Sequence, residues 1–165
     1  MDPVRFSGNE ILEMAVRIEE NGLRFYTDAG KASKNAKLKD LFSYLASEEK
    51  NHIKCFEDMK RLMSKETASS IFDPYAEEAG LYMQAFADSE VFKRADEGAR
   101  LAKTIKGEKE ALEYAITMEK DSILFYYEFM RAIREKDRGV LDRLIQEERV
   151  HLMKLALLKN ELFEK

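Results

Sequence analysis

Among its 165 residues this chain has one cysteine, two histidines, two prolines and seven glycines, and it has no tryptophan. The lone Cys55 has no partner for an intrachain disulfide, so a disulfide scaffold is excluded. Helix breakers are scarce while Glu, Lys, Leu, Ala and Met abound, which predicts an all-α chain. The longest apolar runs, such as Leu155 to Leu158, fall far short of the roughly 20 residues that a membrane helix needs, so no membrane association is expected. Charge of a single sign is missing too. The 32 acidic and 28 basic residues, net −4, are interspersed rather than collected into blocks, which argues against a nucleic-acid surface. The stretch from Met1 to Glu10 lacks the basic-then-apolar pattern of a signal peptide, and the expected location is cytoplasmic. An apolar content of 45% at this length suits one well-buried core, hence a single domain spanning 1–165.

What the sequence does have is a repeat. Ile11 to Tyr26 lies over Ala111 to Tyr126 at an offset of 100, with Leu12/Leu112, Glu13/Glu113, Ala15/Ala115, Glu19/Glu119, Phe25/Phe125 and Tyr26/Tyr126 identical. At an offset of 99, Leu45 to His52 matches Leu144 to His151. The chain therefore reads as two similar helical hairpins. Helix one is expected over about Asn9 to Gly30, helix two over Ala36 to Ser64, helix three over Glu108 to Arg134 and helix four over Arg138 to Leu162. The short connections at Gly30 to Asn35 and Glu135 to Asp137 make each hairpin antiparallel. Between the hairpins, residues 65–107 contain a break at Asp73-Pro74 and a helical pattern in Tyr75 to Phe86. A crossover of that length can run along helices of about 28 residues, roughly 42 Å, as in four-helix bundles with a long connection between helices two and three.

Each helix carries an apolar stripe, and each stripe is interrupted by polar residues. In helix one the steps of three and four run through Leu12, Ala15/Val16, Leu23 and Tyr26 with Glu19 on the same face; helix three repeats this as Leu112, Ala115/Ile116, Ile123 and Tyr126 with Glu119. In helix two Leu38, Leu41/Phe42, Leu45, Phe56, Met59 and Met63 are joined through the centre only by Glu49 and His52. Helix four has Leu141, Leu144/Ile145, Leu155, Leu158 and Leu162, joined only by Glu148 and His151. Residues three apart share a helix face. Buried like charges about 4 Å apart repel by roughly 4 kcal/mol per pair at an effective dielectric near 20, so four carboxylates need neutralising. Two divalent cations supply +4. Carboxylate and imidazole without thiolate suit iron, or manganese, better than structural zinc. The set, one Glu from each of two helices and Glu-x-x-His from each of the other two, is the dimetal carboxylate arrangement of helix bundles.

Around these six, Tyr26 and Tyr126 follow the lone glutamates by seven residues and can hydrogen-bond a ligand carboxylate or simply fill the core. Gly22 and Ser122, one turn from Glu19 and Glu119, either leave room beside the metals or allow close helix packing. Glu20, Glu48 and Glu147 lie about 100° off the stripes and read as solvated. Cys55 reads as a small core residue.

The motifs Glu-x-x-Gly-x-x-Phe-Tyr at Glu19 to Tyr26 and Glu-Glu-x-x-His at Glu48 and at Glu147 resemble the rubrerythrin branch of the ferritin-like superfamily, over nearly the whole chain. The resemblance implies a ferritin-like bundle in which Glu49 and Glu148 bridge two irons and Glu19, Glu119, His52 and His151 are terminal ligands. It implies reduction of hydrogen peroxide, or of dioxygen, by a homodimer or larger homo-oligomer. Two departures stand out. The rubredoxin domain with its paired Cys-x-x-Cys motifs is absent from this one-cysteine chain, so electrons are expected from an external carrier such as a rubredoxin. Where typical relatives place an extra Glu on the third helix stands Ser122, and the resulting symmetric six-ligand set also resembles bacterioferritin or a simple ferritin-like oxidase. A ferroxidase of the ferritin class and a metal-stabilised helical adaptor are the competing readings.

Overall fold

The computed structural model describes residues 8–63, 104–133, 135 and 138–164. They form four helices: α1 Gly8–Ala32, α2 Ala36–Met63, α3 Glu108–Ala132 and α4 Arg138–Phe163. The ends agree with the sequence-based boundaries to within two residues. Most of the expected crossover, including Tyr75 to Phe86, lies outside the described residues.

Local chemistry sets the hairpin ends. Asn35 Oδ1 accepts the Leu38 amide at 3.2 Å, which caps the start of α2 by satisfying one of its free donors. The Lys34 and Asn35 amides both donate to Glu108 Oε1, at 2.7 and 2.8 Å, so the α1–α2 turn is tied to the first turn of α3. Ile133 leaves α3 in extended backbone while its N–H still reaches Phe129 O at 3.2 Å. Arg138 Nε then donates to Ile133 O at 3.3 Å across the short connection to α4. The repeat is visible in the ion pairs: Lys60 meets Glu13 at 3.2 Å between α1 and α2, and Lys159 meets Glu113 at the same distance between α3 and α4. As partly exposed pairs they contribute little to stability.

The apolar interior falls into two clusters, each drawing on all four helices. One gathers Leu12, Ala15, Phe56, Phe125, Tyr126, Phe129 and Leu141. The other gathers Phe25, Tyr26, Phe42, Leu45, Leu112 and Leu155. At roughly 1.5–3 kcal/mol for each fully buried large apolar side chain, the two clusters supply the main driving force for the bundle. The buried face of α1 and α3 is rotated from the expected stripe. Val16, Leu23, Ile116 and Ile123 are only half-buried, whereas Ile11, Ile18, Phe25, Ala111, Phe125 and Phe129 are buried. A bundle helix packs against two neighbours, so its apolar face is wider than one seam and centres where the large aromatic rings can interlock.

Candidate metal centre

The layer between the two apolar clusters is polar. Glu19 from α1, Glu49 and His52 from α2, Glu119 from α3 and Glu148 and His151 from α4 all point into it, each no more than 4% exposed. All six residues singled out from the sequence thus meet in one place. His52 Nδ1 lies 3.0 Å from Glu148 Oε1, 3.2 Å from Glu19 Oε2 and 3.8 Å from Glu49 Oε2. His151 Nδ1 lies 2.9 Å from Glu148 Oε2 and 3.9 Å from Glu119 Oε2. The two imidazoles stack with centroids 5.6 Å apart and planes 23° from parallel. Two overlapping groups result, Glu19/Glu49/His52/Glu148 and Glu119/Glu148/His151, within each of which one ligand atom per residue lies within 4.8 Å of the others. Glu148 belongs to both, with one oxygen toward each histidine.

Without a cation, this layer holds its charge down with protons. Burial, then the neighbouring charge of Glu19, pushes Glu49 well above the usual carboxylate range. Burial, then Glu148, does the same to Glu119. Desolvation would lower His52, but Glu19 and Glu148 outweigh it and raise the imidazolium to about 12. Desolvation would likewise raise Glu148, yet hydrogen bonds from His151 and His52 hold it below the usual range. Burial of charge in this layer is tolerated only where a counter-charge is in contact.

The expected roles of the surrounding residues separate. Tyr26 donates its hydroxyl proton to Glu119 Oε1, across to the other hairpin, and burial followed by Glu119 raises the phenol well above its ordinary value. Tyr126, its counterpart in the repeat, has a buried hydroxyl with no partner among the described residues. Gly22 is where it is because a Cβ there would come within 2.8 Å of Glu49 Oε1. Ser122 is buried on the same face as Glu119. Cys55 is half-buried against the first apolar cluster, its thiol pKa raised by burial, which fits a small packing residue.

One expectation needs correcting. Glu20 is on the surface beside Arg24, 3.7 Å away, but Glu48 and Glu147 are not simply solvated. Glu147 Oε2 lies 3.2 Å from His52 Nε2, and Glu48 Oε2 lies 3.9 Å from His151 Nε2. An offset of 100° from the stripe takes a side chain to the edge of its helix, and in a bundle that edge adjoins the next helix. The signal available in the sequence was the doubled Glu-Glu preceding both histidines.

Chemically, four carboxylates and two imidazoles without thiolate could hold a pair of hard or borderline divalent cations. One atom argues for this independently of composition. Glu19 Oε1 is buried with no hydrogen-bond partner among the described residues, which is costly for a carboxylate oxygen unless a cation occupies that side.

No described helix is long and apolar enough to cross a membrane. No curated protein matches the chain. Among solved structures it is similar to a Thermotoga maritima protein described as a ferritin-like diiron-carboxylate protein, at 30% identity and a TM-score of 0.64, covering 95% of this chain and 97% of that one. The rubrerythrin family model matches residues 10–159, which takes in all six residues of the polar layer. By that match and by its four-helix ferritin-like architecture, the chain belongs to the rubrerythrin family.

Proposed function

We propose that this protein is a diiron oxidoreductase that reduces hydrogen peroxide, drawing electrons from a separate carrier protein. The observation that carries the reading is the buried six-residue layer with its orphaned Glu19 oxygen. Glu19 and His52 would hold one iron and Glu119 and His151 the other; Glu148, whose two oxygens face the two histidines, would be shared, and Glu49, expected as the second shared ligand, gathers with Glu19 and His52. When bound, such a pair supplies two electrons at one O–O bond, which matches the balance H2O2 + 2e− + 2H+ → 2H2O, whereas complete reduction of dioxygen takes four. The chain's own residues prepare the site. The two apolar clusters above and below exclude water, Tyr26 fixes Glu119, and Gly22 leaves Glu49 its space. These 165 residues hold a single cysteine, too few for a rubredoxin-type iron site among them, and the proposed electron source is a separate carrier.

Stopped-flow oxidation of the diferrous protein, with peroxide and dioxygen at equal concentration, tests this. Peroxide should be the faster oxidant, and turnover should require an added reductase and small electron carrier. The second reading, a ferroxidase of the ferritin class, is favoured by Ser122 standing beside Glu119 without an extra carboxylate. Faster oxidation by dioxygen, with iron taken up beyond two ions per chain, would establish it in place of the first.

A further inference from the structure

Glu48 and Glu147 stand outside the six-residue layer, yet each reaches a histidine of the opposite hairpin from the rim. Glu147 on α4 approaches His52 on α2, and Glu48 on α2 approaches His151 on α4. In both cases the carboxylate faces Nε2, while Nδ1 of the same ring faces the inner carboxylates. A neutral imidazole carries one proton. For Nδ1 to bind a cation its lone pair must be free, so the proton must sit on Nε2 and find an acceptor there. The His52 ring is only 2% exposed, whereas the Glu147 side chain is 43% exposed.

We propose that Glu147 is a positioning residue for His52, and Glu48 its looser counterpart for His151, each accepting the Nε2 proton and thereby fixing the tautomer that presents Nδ1 to a divalent cation. This rests on the metal-binding reading of the site and is independent of the oxidant. Adjacent glutamates thus divide the labour, one turned to the metals and the other to the neighbouring helix's imidazole. The two arms are unequal for a visible reason. Glu48 is also approached by the Tyr44 hydroxyl and the Asn51 amide, both at 3.4 Å, and its distance to His151 is 3.9 Å against 3.2 Å for Glu147 and His52.

The test uses the full chain loaded with Co(II), read by chelator competition and by the exchangeable, hyperfine-shifted Nε2–H proton resonances. Wild type should show two such resonances. E147A should weaken one of the two cobalt sites by about 10–100-fold and lose, or speed the exchange of, one resonance. E147Q, whose amide oxygen still accepts, should recover most of the affinity but shift that resonance; E48A should have the smaller effect, and E20Q none. Wild-type cobalt affinity in E147A with both resonances unchanged would overturn the proposal. Should E147A fail to fold, E147Q decides, and an unshifted resonance there overturns it equally. Failure of wild type to bind cobalt would overturn the metal-site reading, and the proposal with it.

Discussion

Replacing Gly22 with Ala separates what this residue does for the fold from what it does for the site. In an ordinary helix interior the change is favourable, because Ala is better than Gly by about 1 kcal/mol. At this position the new Cβ would lie 2.8 Å from Glu49 Oε1 and 3.0 Å from its Cδ, where 3.4 Å marks ordinary contact. The carboxylate must therefore retreat by about 0.6 Å, the difference of 3.4 and 2.8. In the metal-free protein that retreat is cheap, since a Glu carboxylate is the end of a flexible chain. In a loaded site it is not, because ligand distances are set to within about 0.2 Å.

The expected outcome has opposite signs. Metal-free G22A should melt at the same temperature as wild type or up to about 2–4 °C higher, the shift that 1 kcal/mol gives in a chain of this size. Its affinity for Fe(II) or Co(II) should fall by about 10–100-fold at the position that Glu49 serves, as when a ligand's support is lost. Thermal melts of chelator-treated protein and metal titrations provide the two numbers. Wild-type metal affinity in G22A would show that Gly22 is merely a helix residue. A large loss of stability in the metal-free variant would show that Glu49 is clamped by packing, and would refute the reasoning from its flexibility.

The remaining expectations concern protons and phenols. Y26F removes the donor to Glu119 and should cost about 1–3 kcal/mol, the range for leaving a buried hydrogen-bonding group unsatisfied, whereas Y126F removes a hydroxyl with no partner among the described residues and should be neutral or stabilising; equal effects in chemical denaturation would contradict the assigned asymmetry. Raised values for Glu49, Glu119 and His52 mean that above the ordinary carboxylate value the folded metal-free site binds more protons than the unfolded chain, while Glu148, held below the usual range, has the opposite sign. Stability should accordingly rise with pH up to the ordinary carboxylate value as the Glu148 contribution is gained, decline above it, and continue to decline toward about 12, where the His52 contribution is lost. Metal loading displaces these protons, so affinity should rise with pH and proton release should be measurable in weakly buffered titrations; a pH-independent affinity would contradict the protonated metal-free site.

The ligand set was legible because two independent regularities converged on it. Hydrophobic periodicity left Glu19, Glu49, His52, Glu119, Glu148 and His151 as the only interruptions of four apolar stripes, and the repeat placed each interruption twice. Less legible was anything that depends on a neighbouring helix. Reading each helix alone, Glu48 and Glu147 fall off the buried stripe, and only the adjacent imidazole of the opposite hairpin gives them a partner. The rotation of the buried face of α1 toward Ile18 and Phe25 had the same origin, since which flank of a stripe is covered is decided by the partner's aromatic rings. Tyr26 and Tyr126 are identical in the repeat, yet among the described residues only the Tyr26 hydroxyl is paired. A sequence repeat conveys equivalence of register, while hydrogen bonding depends on sub-ångström differences between the two hairpins.

Those differences sit on contacts that cross between the halves. Tyr26 of the first hairpin holds Glu119 of the second, Glu148 of the second completes the group around His52 of the first, and Glu147 and Glu48 reach across in opposite directions. Each hairpin brings three of the six residues, yet the group around His52 is complete only with Glu148 of the other hairpin. A cation bound in the polar layer therefore joins α1 and α2 to α3 and α4 at a depth where the apolar clusters are interrupted, and its binding free energy adds directly to the association of the hairpins. The polar layer that divides the apolar core, a weakness in the metal-free protein, becomes the strongest link between the halves once the carboxylates are neutralised.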